Sequence, residues 1–346
     1  MTSTTKTLRR LPCDAYTVGW LCALDNEIAV AKSLLDEKHA APPIPYGDTN
    51  VYFTGRIGEH NVVIVNLVQT GTKASAFAVT HMLRTFQKIR FGLMVGIGGG
   101  AVDASGTHGT RKSTTATLLG DVVVSMPGQN HSGVLQYDKG TQRNGHFTTR
   151  SQMNSPGDTL VSAVAKLAQL HQHQRGNMAR HMQEAQSKLQ AQGLNHFRFP
   201  GRQYDLLFAS KYAHPINAPR DCRACNRAAL IHRNPITRQS PVVHHGLIAS
   251  GNSVVRDPQL RDIMSRNQNV LCFEMEAAGL MNSLPCLVIK GISNYSDSHK
   301  SDIWQPYAAL TAAAYAKDLL AMIQPQAARV ARPAPKPTSS FRKFFG

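Results

Sequence analysis

An α/β fold, a twisted sheet with helices on both faces, is what three features of the sequence predict. Short apolar runs of strand length alternate with longer segments of helical period. Several of these runs end in glycine or in Ser/Asn/Asp clusters, where open α/β sheets place their ligand loops. The chain of 346 residues is 42% hydrophobic and 17% charged, enough apolar material for one large core.

The elements follow in order. Residues 1–15 are polar and predict a flexible N-terminus. "YTVGWLCAL" (16–24) has the length and composition of a buried strand. In the next segment, "DNEIAVAKSLLDE", Ile28, Ala31, Leu34 and Leu35 recur at helical spacing, with Asp25 as the expected N-cap. "NVYFTGRIGEHNVVIVNLV" (50–68) reads as two strands joined by a turn at Gly58. A helix is expected over 73–86, then a buried strand, "RFGLMVGIGGGAV" (90–102), that ends in a glycine cluster. Residues 103–119 are rich in Ser, Thr and Gly and predict a loop. "LGDVVVSMP" is a strand, and "GDTLVSAVAKLAQLHQHQ" and "ARHMQEAQSKLQAQ" are helices. Residues 197–240, rich in Arg, Pro and His, predict irregular structure, so the domain carries irregular insertions near 103–119 and 171–240. Strands at 245–255 and 285–294 and a helix at 304–323 close a domain spanning 16–323. Residues 324–346 hold several prolines and no acid, the composition of a basic disordered tail.

The net charge of +17 favours acidic partners: phosphorylated small molecules, nucleic acid or anionic surfaces. Much of it, however, falls in loops and the tail, with no stacking-aromatic or basic repeat, so nucleic acid is not an expected partner. No apolar run approaches the roughly 20 residues a bilayer span needs. The first residues lack the apolar core of a secretory signal. A cytoplasmic protein without membrane contact is expected. Of six cysteines, Cys22, Cys272 and Cys286 sit in apolar runs as small core residues. Cys222 and Cys225 form C-x-x-C, with His214 upstream and His232 downstream. One reading is a metal knuckle; lacking a second C-x-x-C, the metal-free reading is favoured.

The stretch "NVLCFEMEAAGLMNSLPCLVIKGISN", Asn269 to Asn294, places Glu274 and Glu276 two residues apart in an apolar run. Isolated buried charge costs several kcal/mol, roughly, unless paired or hydrogen-bonded. Either a strand end tips these carboxylates into water, or one of them accepts hydrogen bonds from a ligand's hydroxyls. Other strand ends add to the second reading. They offer Glu27 after the first strand, Gly96 to Gly100 with Ile97 after another, and "GNSVV" and "ISNYSD" later on.

In this order and spacing, "CALDNEI", "VGIGGGAV", "GDVVVS", "GLIASGNSVV", "CFEMEAAGL" and "GISNYSD" resemble the nucleoside phosphorylase/nucleosidase superfamily. The resemblance is nearest to the phosphorylase-like domain of fungal multidomain proteins and to methylthioadenosine/S-adenosylhomocysteine nucleosidase. It covers roughly residues 16–323. It implies a three-layer fold with a twisted mixed sheet flanked by helices, a purine nucleoside or nucleotide as ligand, a homo-oligomer, and no cofactor. It also implies site roles. Glu276 accepts from the ribose hydroxyls, Met275 packs on the sugar, and Glu274 touches the sugar side or stabilises the site. Gly98 and Gly99 lie against the base, with Gly96 and Ile97 beside them, and Val254 and Val255 form the base wall, where an aromatic stands in relatives.

Phosphorylases of the superfamily hold phosphate with arginines and a Ser or Thr. Here the matching positions are Glu27, Met94 and Ile97, which favours hydrolysis with Glu27 as general base over phosphorolysis. Phosphate is expected only on the phosphorylase alternative. The family's base-protonating Asp is replaced by Asn294. An amide donates a hydrogen bond but transfers no proton. Three outcomes follow: a weakened site acting as a nucleotide sensor, a preference for 6-oxopurines, or Asp297 taking over. His299 and Lys300, just beyond, make a 5′-phosphorylated substrate plausible.

Overall fold

β1 (Val18–Cys22) begins the sheet in the computed structural model, which describes residues 7–102, 117–143, 146–149, 153–233 and 238–325. All five β1 side chains are buried, as a strand covered on both faces requires. It leads into α1 (Asp25–Ser33). Asp25 is not the N-cap: Leu24 takes that place, and the Glu27 carboxylate reaches back to the Leu24 N–H. β2 (Glu37–His39), β3 (Val51–Ile57) and β4 (His60–Asn66) form an antiparallel edge, and Gly58 in the β3–β4 turn has φ +55. After α2 (Thr72–Thr85) comes β5 (Phe91–Gly100), the longest strand.

β6 (Val122–Ser125) and β7 (Val134–Gln136) join the main sheet, while β8 (Gly140–Arg143) and β9 (His146–Thr149) form a separate ribbon. The two expected helices are α3 (Asp158–Gln172) and α4 (Met178–Gln190), so the stretch 171–240 is regular at its start. Beyond α4 the described residues up to 233 are loops with two short 3-10 turns, as their composition predicts. β10 (Val243–Ser250) ends earlier than expected, which leaves Val254 and Val255 on a loop. α5 (Pro258–Gln268), β11 (Val270–Glu274), α6 (Ala277–Leu280), β12 (Cys286–Asn294) and α7 (Gln305–Leu320) complete the order. The calls on 103–116 and 326–346 lie outside the described residues. Within the expected flexible N-terminus, Arg10 bridges to Ala40 and Cys13–Ala15 form a 3-10 turn.

The sheet is mixed and flanked by helices, as expected. Its order is β11-β10-β6-β12-β5-β1-β4-β3-β2. β5 lies parallel between β1 and β12, and its end also pairs antiparallel with β11 through Gly99 and Gly100. β5, β12, β6, β10 and β11 therefore close into a ring. Glycine at the end of β5 permits this, because strands crowd it from two sides. A Cβ on Gly98 would overlap the Cys272 thiol, a β11 side chain. α7 is buried from Pro306 to Leu320, which its alanine-rich sequence allows. It approaches β12 so closely that a Cβ on Gly291 would overlap the Ala308 carbonyl.

Candidate active site

The carboxyl ends of the parallel strands β1, β5 and β12 meet around a cavity of about 230 Å³. Its wall includes Glu27, Ile97, Gly98, Gly99, Val254 and Val255. Glu274, Met275, Glu276, Asn294 and Lys300 complete the predicted residues on it. A larger cavity of about 800 Å³, beside α3, α4 and β10, has no carboxylate on its wall.

Glu27 sits in the first turn of α1 and is 4% exposed. One oxygen accepts the N–H of Ala23 (2.7 Å) and of Leu24 (3.1 Å); the other accepts the N–H of Ile97 (2.8 Å). A carboxylate offers about four acceptor positions. Three are filled by backbone, and the side chain lines the cavity, so one remains for a water or a ligand. Gly96 is explained here: a Cβ would overlap the Glu27 carboxylate. Gly96 makes room for the acid and is not itself on the cavity wall. Burial raises the Glu27 pKa, opposed by Lys290 and the three N–H donors.

Lys290, which sequence reasoning missed, organises the other acids. It stands in the middle of β12, 1% exposed, with Nζ 3.2 Å from Glu274 Oε2 and 3.4 Å from Glu276 Oε2. Burial alone would lower its pKa; Glu274, Glu276 and Glu27 outweigh this and hold the ammonium well above its ordinary value. Glu274 also accepts the N–H groups of Glu276 (3.2 Å) and Ala277 (3.1 Å), fixing the turn from β11 into α6. Glu276 accepts from Gly71 N–H (3.4 Å) and Met275 N–H (3.3 Å). Its pKa is raised by burial, with Lys290 opposing and Glu274 and Glu27 adding. Three carboxylates thus share one ammonium, and the cluster is negative when fully ionised.

Asn294 follows a register shift in the β12–β5 pairing that leaves Ser293 as an extra residue. Its Oδ1 accepts the Ser296 N–H (2.9 Å) and its Nδ2 donates to Ser293 Oγ (3.0 Å). A backbone N–H can be accepted only by the amide oxygen, so the orientation is fixed and one Nδ2 hydrogen is left. Ser296, held at φ +53, puts on the cavity wall a buried Oγ with no hydrogen-bond partner among the described residues. The left-handed turn at Ser296 explains Gly99, where a Cβ would overlap Ser296 Oγ. Phe273, Ser296, Thr70 and Gln305 were also missed as wall residues. Phe273 is an aromatic side chain on this wall, in T-shaped contact with Tyr137.

Asp297 is not brought to this cavity. It faces α5, where Arg261 approaches its Oδ2 (3.3 Å), and its Oδ1 accepts the His299 N–H (2.9 Å). Arg261 is fully buried and also bonds Asp262 and the Tyr295 carbonyl, so this network holds the loop after β12. His299 is likewise absent from the cavity wall and stacks on Phe208 at 4.0 Å between ring centroids. Lys300 is on the wall, with no carboxylate within ion-pair distance among the described residues. Burial lowers its pKa, and nearby Arg256 adds to this.

No helix among the described residues is long and apolar enough to cross a membrane. No family model matches the sequence. A nucleotide-binding leucine-rich repeat (NLR)-like protein of Hyaloscypha variabilis is 38% identical over 318 residues, 91% of this chain and 30% of that protein. An ATP nucleosidase, Cap17, of Escherichia coli is 34% identical over 85 residues, 23% of this chain and 17% of that protein. The chain thus spans less than a third of the length of the curated relatives it matches. Among solved structures, Helicobacter pylori futalosine hydrolase matches with a TM-score of 0.55 at 17% identity, covering 89% of this chain and 99% of that chain. The 5′-methylthioadenosine/S-adenosylhomocysteine nucleosidase of Neisseria meningitidis, in complex with methylthio-immucillin-A, matches with a TM-score of 0.53 at 15% identity, covering 88% and 98%. The chain therefore has the fold of these nucleosidase and hydrolase structures.

Proposed function

We propose that the chain cleaves the N-glycosidic bond of a purine nucleoside or nucleotide by hydrolysis. The observation that carries this reading is the cluster of Glu27, Glu274 and Glu276 around Lys290 at the cavity. As the glycosidic bond breaks, positive charge develops on the sugar. A site with more carboxylates than cations favours that charge and disfavours a phosphate nucleophile. Glu27, with one acceptor position left, is the group to take a proton from the attacking water. Glu276 is the acceptor for the ribose diol. Asn294 donates its remaining hydrogen to the base ring. That eases departure without protonating the base, so turnover is slower than with a carboxylic acid there.

The nucleosidase and hydrolase names of the structural neighbours support cleavage as the reaction class. The ATP nucleosidase relative and Lys300 together support a 5′-phosphorylated substrate. The reading is tested by incubating the protein with adenine, guanine and hypoxanthine nucleosides and nucleotides, with and without phosphate, and measuring free base. Release independent of phosphate is expected. Release only with phosphate would select a phosphorylase. Tight binding without release would select a nucleotide-binding module, which the replacement of Asp by Asn294 also favours.

A further inference from the structure

Away from the catalytic cavity, the loops between α4 and β10 hold a second cluster that the proposed reaction does not use. Donor atoms of His214, Cys222 and Cys225 all lie within 4.8 Å of one another. Both cysteines are free thiols and buried, 3% and 5% exposed. A tight turn presents them on one side: the Cys225 N–H donates to the Cys222 carbonyl (3.1 Å), and Cys222 has φ +59. Leu206, Phe208, Ala229 and Leu230 pack around them as a small satellite core.

A fourth donor stands beside these three. His299 is 7% exposed, and its Nε2 has no hydrogen-bond partner among the described residues. Its ring lies 5.4 Å from that of His214, and its carbonyl oxygen is 3.8 Å from Cys222 Sγ. Among the described residues, His39 and His181 also have a buried ring nitrogen without a hydrogen-bond partner, but only that of His299 stands beside a group of metal-binding donors. The sequence offered His232 as the downstream histidine, but His232 is exposed, and neither it nor His299 is among the donors that lie within 4.8 Å of one another, so His299 must swing in to complete the set. The histidine that approaches comes instead from the loop after β12, 74 residues beyond Cys225.

We propose that His214, Cys222 and Cys225, completed by His299, bind one divalent metal ion of the zinc class. Two sulfur and two imidazole donors form the tetrahedral donor set that zinc favours. On binding, each thiol releases its proton to solvent, and two thiolates with two neutral imidazoles balance the charge of the ion. The resulting site is neutral, as burial against Phe208 and Leu230 requires. One His214 nitrogen binds the ion, and the other keeps a backbone carbonyl, since Nδ1 lies 2.9 Å from Pro215 O and Nε2 3.3 Å from Pro219 O. The role is structural. The ion would tie the α4–β10 loops to the segment that runs from Asn294 to Lys300. The His214 N–H already bonds Ser298 Oγ there, at 2.9 Å.

The experiment is elemental analysis of the full chain purified under reducing conditions, followed by cobalt substitution. About one zinc per chain is expected. The cobalt form should show the visible bands of a tetrahedral ion together with thiolate charge transfer. Replacing both Cys222 and Cys225 by serine should abolish the metal, and His299→Ala should weaken zinc at least about tenfold in competition with a chelator. Because variants can fail to fold, the unsubstituted chain is also titrated with chelator, and its melting temperature should fall as zinc leaves. A chain that carries no metal and binds neither added zinc nor cobalt would overturn the proposal. So would a Cys222–Cys225 disulfide persisting in reductant. Unchanged affinity in His299→Ala would overturn the four-donor set. None of these outcomes depends on whether the chain is a hydrolase.

Discussion

Replacing Lys290 by methionine keeps roughly the length of the side chain and removes the cation that, among the described residues, pairs with Glu274 and Glu276 beside Glu27. Its Nζ lies 3.2 Å from Glu274 and 3.4 Å from Glu276. At an effective dielectric of about 20, each contact at about 4 Å is worth roughly 4 kcal/mol, and desolvation takes back several kcal/mol per ion. Removing one member of such a buried group costs about 3–5 kcal/mol, because the remaining charge is left unpaired. With 346 residues and about 2.1 cal/mol/K of unfolding entropy per residue, that corresponds to a fall in Tm of roughly 4–7 °C.

The pH dependence has a definite sign. The carboxyls of Glu27 and Glu276 already sit above the ordinary glutamate value, chiefly through burial. Groups raised in the folded state lend stability below their unfolded pKa and lose it as pH rises through the folded one. Without the ammonium that window moves higher still. Below it the acids protonate and the repulsion disappears. The loss of Tm should therefore be large at about pH 8 and much smaller at about pH 5, as read by thermal unfolding. A shift under about 1 °C at the higher pH, or one equal at both, would show that Lys290 does not hold the three acids together.

The remaining predictions concern the reaction. Glu276→Gln should weaken ribose ligands by roughly 1.5–3 kcal/mol and leave 2′,3′-dideoxy analogues nearly unaffected in a binding titration; equal weakening of both would make Glu276 purely structural. As a base, Glu27 must be ionised, so the acid limb of kcat should lie above the ordinary glutamate range and vanish in Glu27→Gln, while ligand affinity stays close to that of the parent chain. Asn294→Asp places a carboxyl in a desolvated position, and hydrolysis of adenine substrates should rise by about tenfold, roughly 1.4 kcal/mol of barrier. A loss concentrated on 6-oxopurines would instead mark Asn294 as a recognition group. Lys300→Ala should raise KM for nucleotides and not for nucleosides; equal effects on both would remove the 5′-phosphate from the account.

Much of the fold was legible because apolar runs report burial directly. The acids at 274 and 276 stood out because charge inside an apolar run is costly, and Glu27 because it follows the first strand. Lys290 carried the same signal, a lone charge in "LVIKG", yet its partners lie fourteen and sixteen residues away, at and just beyond the end of another strand, and only the closed ring of β5 and β11 brings them together. Asp297 misled by proximity: the left-handed turn at Ser296 points the chain away from the cavity and toward Arg261. His299 failed for the same reason. Of the glycines at 96, 98 and 99, the last two line the cavity and Gly96 does not, and at each of the three a Cβ would overlap a protein atom, a cause the sequence does not display. The helix α5 was legible and unread: Asp257 caps it by accepting from Gln259 and Leu260, Pro258 opens it, and Asn269 at φ +56 ends it.

Hydrolysis by a Glu27-activated water is tested most directly by isotope. The protein is given a purine nucleotide in water enriched in heavy oxygen, with phosphate present, and the ribosyl product is examined by mass spectrometry. One heavy oxygen at the anomeric carbon of promptly quenched product is predicted, with the free base unlabelled and little ribosyl product of any kind formed when Glu27 is replaced by glutamine. A ribosyl 1-phosphate product, or nucleotide that stays bound and intact, would contradict it.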